Sequence, residues 1–247
     1  MNRLMNVLIA IILVSMLTSE GLAAQDALAV AVERIHRDYS SQQGKPDVGR
    51  LVLLDQELRD LIPYYQWQGR PWASASSFKP EHESIGVSPA LFEPDFLTYS
   101  GKLLVEAHAV DPNSPFRSYT LYSTVFGTEG ETSNGVPSPE AAEAYAREFP
   151  AGPFIIYAYA ALAHFYDDLY KVIRLEETGE RIDYKYDCFK AYVKPEPLPE
   201  QRSAAQESGI RYYEQLLRLL PQNEYETKYL ADLRAGNNPR RWFFCGD

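Results

Sequence analysis

Apolar side chains recur three and four residues apart along Asp26 to Tyr39, where Leu28, Val32, Ile35 and Tyr39 fall on one helical face. Gly44 and Pro46 break that period. Asp47 then stands at the N-cap position of a second helix that runs to about Ile62, and Pro63 closes it. Between Tyr64 and Phe96 no period is sustained and prolines and glycines recur, which predicts irregular or short-stranded chain. Helical periodicity returns at Leu97 and continues to Leu233. In its middle, Leu162, Phe165, Leu169 and Val172 form an apolar stripe. The expected fold class is all-α: stacked antiparallel helical hairpins with an irregular, aromatic-rich insert.

Three segments of the second half look alike when aligned on Pro112, Pro150 and Pro221. Two residues on come Ser114, Gly152 and Asn223, all acceptable N-caps. Pro115, Pro153 and Glu224 follow, each suited to a first helical turn. Next stands an aromatic every time: Phe116, Phe154 and Tyr225. A helix stopped before proline, a short turn and a newly capped helix make an αα-hairpin, and the aromatic is expected to fold back on the preceding helix. The prolines are 38 and 71 residues apart, near one and two units of a 34-residue helical repeat. On these residues the chain resembles the tetratricopeptide-like superfamily over about residues 101–236. That resemblance implies an α-solenoid whose concave face holds a protein or peptide, and it does not imply catalysis.

The start of the chain reads as an export signal over residues 1–24. Asn2 and Arg3 precede the apolar run Leu4 to Leu17, and Gly21-Leu22-Ala23-Ala24 offers the small residues a signal peptidase needs. The run is too short for a transmembrane helix of roughly 20 residues, so a periplasmic or secreted protein without an integral membrane segment is expected. Residues 25–96 then hold the first helices and the insert, and residues 97–247 the hairpin region. The net charge of −10 argues against nucleic acid as a partner. Export also changes how the two cysteines read. Cys188 and Cys245 are expected to form a disulfide that clasps the tail Trp242-Phe243-Phe244 to the body. The aromatics around Cys188 (Tyr184, Tyr186, Phe189 and Tyr192) would supply the packing surface.

Candidate chemistry is sparse. No nucleophile elbow, Cys–His signature or phosphate loop occurs, and neither a metal site nor a cofactor is expected. Tyr64, Tyr65, Trp67, Arg70 and Trp72 gather aromatic faces beside polar donors, a composition that suits sugar rings or extended peptides. His164 and Asp168 lie four apart on one helical face and form an alternative polar site, either a functional pair or a solvated or inter-helix one. His82, between Glu81 and Glu83, has no second histidine near it in sequence. The function expected is non-catalytic protein or peptide binding, as a helical-repeat adaptor of the cell envelope. The alternative is a secreted hydrolase or carbohydrate-active protein, and convergence of His164 and Asp168 with another acidic or histidine side chain in one pocket would favour it.

Overall fold

The computed structural model describes residues 28–42, 44–62, 78–89, 96–125, 136–180, 184–195, 197–237 and 242–243, with backbone alone for 184–187. The expected signal segment and the aromatic cluster Tyr64, Tyr65, Trp67, Arg70 and Trp72 lie outside these residues. Two compact units divide the chain, Met1–Ser114 and Pro115–Asp247. The composition change at Phe96 falls inside the first. Among the described residues helices dominate both, and the class is all-α with one small β-hairpin.

In the first unit, helix α1 covers residues 28–40 and helix α2 covers Val48–Leu61. Val32 and Ile35 of α1 are buried, with Leu28 and Tyr39 half-buried, as the periodicity requires. Asp47 caps α2 as expected, its side chain accepting from the Arg50 N–H at 2.7 Å. A 3-10 turn, Pro80–Ile85, ends in Gly86, whose φ of 77° and whose crowding by Ser100 and Lys102 leave no room for a Cβ. It leads into strand β1 (Val87–Pro89), paired antiparallel with β2 (Leu97–Tyr99) in the register Val87↔Tyr99 and Pro89↔Leu97. Helical structure thus resumes not at Leu97 but at α3, Lys102–Val110. Three residues are too few for the two-residue alternation of a strand to stand out from a helical pattern. Leu51, Leu54 and Leu58 of α2 pack with Leu103, Leu104 and Ala107 of α3 in the core of this unit.

The second unit is built around one long helix. A short α4 (Arg117–Thr120) runs into a 3-10 turn (Leu121–Thr124), and α5 covers Pro139–Glu148. Helix α6 is Ile155–Thr178, and a 3-10 stretch, Tyr184–Tyr192, follows it. Helices α7 (Leu198–Leu219) and α8 (Glu224–Arg234) come next. Each helix from α5 to α8 packs on its successor, giving hairpins α5/α6, α6/α7 and α7/α8. Gly209 of α7 leaves room for the Leu233 side chain of α8. A Cβ there would stand 2.7 Å from Leu233 Cδ2 and 3.5 Å from Tyr166 Cβ.

The three look-alike turns do not share one geometry. Asn223 caps α8, accepting from the Tyr225 and Glu226 N–H groups, and Glu224 opens the helix as expected. By contrast, the N-cap positions of α4 and α6 are Phe116 and Phe154, so Ser114 and Gly152 are not caps and Pro115 and Pro153 precede the first turn. Of the three aromatics, Phe154 is buried, whereas Phe116 is 39% and Tyr225 73% exposed. Helix α6 also departs from a single stripe. Leu162, Phe165, Leu169 and Val172 are buried as expected, but so are Ala158, Ala163, Asp167, Asp168 and Tyr170. A helix enclosed by neighbours on several sides buries more than one face.

Candidate functional site

His164, Asp167 and Asp168 occupy adjacent turns of α6 and meet the C-terminal tail there. The Trp242 and Phe243 backbone N–H groups both donate to Asp168 Oδ2, each at 2.9 Å. The Trp242 indole N–H donates to Asp167 Oδ2 at 2.9 Å, and the Tyr213 hydroxyl of α7 donates to the same oxygen at 3.0 Å. The indole lies flat on the His164 imidazole, with centroids 3.6 Å apart and planes 3° from parallel. Tyr229 of α8 meets the indole edge-on at 4.8 Å. His164 Nε2 in turn lies 3.2 Å from Glu226 Oε2. Phe243 packs on the core cluster that holds Phe165, Phe189 and Tyr213.

His164 and Asp168 therefore share a helical face, as the spacing requires, but they serve different parts of one contact rather than each other. Asp168 is fully buried, not solvated. Burial pushes its carboxyl up to about 8; the two tail N–H donors oppose the shift, Asp167 adds to it and Lys171 reduces it. Among the described residues its Oδ1 atom has no hydrogen-bond partner. A carboxyl pKa raised by folding means the native state holds a proton that the unfolded chain releases between about pH 4 and 8. Stability from this group is thus complete at the acid end and lost as pH rises through that window. We expect Asp168→Asn, whose amide oxygen can still accept both tail N–H groups, to remove the slope. Relative to wild type the variant should gain up to about 1.4 kcal/mol per pH unit across the window, as read from urea melts at several pH values. Parallel curves for the two proteins would contradict this.

His82 is not placed as a ligand. It is fully buried, and His36, distant in sequence, stands edge-to-face with it at 5.9 Å. Its Nδ1 accepts the Lys79 N–H at 3.2 Å, so the ring proton sits on Nε2, which points toward Glu33 Oε2 at 3.5 Å. A nitrogen carrying its proton offers no lone pair to a metal. Among the described residues no group of three or more His, Cys, Asp or Glu is arranged to hold a metal ion.

Sequence reasoning named His164 and Asp168 but missed Asp167, Tyr213, Glu226, Tyr229 and Trp242 as their companions. Only the apolar tail Trp242-Phe243-Phe244 hinted at docking, and nothing local said where. Cys188 is half-buried beside the core cluster and no described cysteine is free; Cys245, Tyr184 and Tyr186 lie outside the described side chains. No described helix is long and apolar enough to cross a membrane.

The chain matches no protein-family model, no curated protein and no solved structure.

Proposed function

We propose that the protein is an exported, non-catalytic protein- or peptide-binding adaptor of the cell envelope, built as a tetratricopeptide-like stack of helical hairpins. The observation that carries this reading is how α6 holds the tail. Two consecutive backbone N–H groups on one carboxyl oxygen, and an indole gripped by face, edge and N–H, are the contacts that recognise an extended aromatic peptide. The consecutive hairpins from α5 to α8 support the repeat reading, and the apolar run Leu4 to Leu17 with its small-residue boundary supports export. The aromatic cluster Tyr64, Tyr65, Trp67, Arg70 and Trp72 belongs to the same proposal as a second recognition surface.

His164, Asp167, Asp168 and Glu226 also form a set of the kind a hydrolase needs. Here the tail donors engage both Asp side chains and the indole covers the imidazole face, so the tail occupies the side a substrate would approach. The Cys188–Cys245 bridge is part of the proposal, because it would keep Trp242 and Phe243 on α6 in an oxidising compartment.

Affinity capture of the exported protein from its own envelope tests the function. The expected result is a defined partner displaced by excess tail peptide. Turnover of ester or glycoside substrates that Asp168→Asn abolishes would instead establish the hydrolase.

A further inference from the structure

Three contacts of the docked tail depend on which residue stands at which place. The Trp242 indole N–H donates to Asp167 Oδ2 at 2.9 Å. The Tyr213 hydroxyl donates to the same oxygen at 3.0 Å and holds it from the α7 side. Asp167 is only 3% exposed, so little water is at hand to replace a missing donor. The Trp242 and Phe243 backbone N–H groups converge on Asp168 Oδ2, each at 2.9 Å, and Asp168 is fully buried. The Phe243 side chain packs on the core cluster that includes Phe165, Phe189 and Tyr213.

Each contact excludes something. Stacking on His164 and the edge contact with Tyr229 ask only for an aromatic ring. Asp167 asks for more, a donor on the side of that ring. Phenylalanine has none, and tyrosine carries its hydroxyl at the far end. A site built to bond a buried N–H rejects an analogue that lacks it far more strongly than one that differs by a methylene. Proline has no backbone N–H, so at either place it would remove a donor to Asp168. A charged second residue would be set against the core cluster without compensation. On the reading that α6 binds a peptide where the tail lies, we propose that its partner is a segment in which tryptophan is followed directly by a large apolar residue. Asp167, positioned by Tyr213, is the residue that selects tryptophan over other aromatic side chains.

The full chain carrying Trp242→Ala is the receptor, and a fluorescent peptide of residues 239–247 with Cys245→Ser is the probe. In a second peptide 3-benzothienylalanine replaces the tryptophan, so that sulfur stands where the N–H was and the fused rings keep their size. The tryptophan peptide should bind more tightly by about tenfold or more. When Asp167→Leu is added to the receptor, the two peptides should bind alike. Comparing them on Trp242→Ala decides the question even if the doubly substituted chain folds poorly. Equal binding of the two peptides to Trp242→Ala would overturn selection by Asp167 and leave the peptide-binding reading standing. Saturable binding of neither would overturn that reading, and the selection with it.

Discussion

Phe154→Ala is expected to destabilise the second unit by about 3–5 kcal/mol, the range for emptying a buried aromatic position. Phe154 is 9% exposed and stacks on Tyr122 with centroids 4.6 Å apart, while Tyr119 meets it edge-on at 6.0 Å. Its backbone N–H donates to the Tyr145 hydroxyl at 3.1 Å, and that hydroxyl donates to the Ser118 carbonyl at 2.8 Å. One ring thus lies where α4, the 3-10 turn, α5 and the start of α6 meet. Pro153 is exposed and precedes the N-cap, so Pro153→Ala should stay within about 0.5 kcal/mol of wild type. Urea unfolding followed by circular dichroism separates the two. A Phe154→Ala midpoint indistinguishable from wild type would show that the ring cluster does not hold the unit.

The first unit should respond as strongly to Asp55→Ala. Asp55 is fully buried in α2, and its carboxylate takes Arg59 Nε at 2.7 Å and Nη2 at 3.2 Å. It also accepts the Tyr99 hydroxyl of β2 at 2.6 Å, and that hydroxyl accepts the Leu103 N–H at 3.3 Å. The carboxylate therefore ties α2 to the hairpin and to the start of α3. Removing one partner of a buried charged pair costs about 3–5 kcal/mol, because the other partner loses its compensation. Asp55→Asn keeps an acceptor for Tyr99 and should cost less. Hydrogen exchange at Val87 and Tyr99 reads the effect inside this unit, and unchanged protection there in Asp55→Ala would contradict it.

How much of this was legible in the chain depended on how local the cause was. The Asp47 cap, the α1 and α2 faces and the α6 stripe each follow from residues within a few positions, and the sequence pattern finds them. The β-hairpin escaped because its strands are three residues long. The shared turn alignment failed at Ser114 and Gly152 because proline, a small residue and an aromatic fit more than one turn geometry. Asn223, whose side chain bonds two N–H groups, is the position where the cap chemistry was specific. Candidate sites were harder still. Trp242 reaches Asp167 and Asp168 across 75 and 74 residues of sequence, and Tyr39 reaches Glu106 across 67. No window of neighbouring residues holds that information.

The recognition of an extended Trp-bearing segment by α6 is tested most directly by competition with the tail itself. In Trp242→Ala the indole no longer covers His164, so a fluorescent peptide of residues 239–247 carrying Cys245→Ser should bind the variant saturably. Its affinity for the wild-type chain, and that of a peptide with the tryptophan moved two places for the variant, should be weaker by roughly tenfold or more. Equal binding of the two peptides, or no saturable binding to Trp242→Ala, would contradict the account.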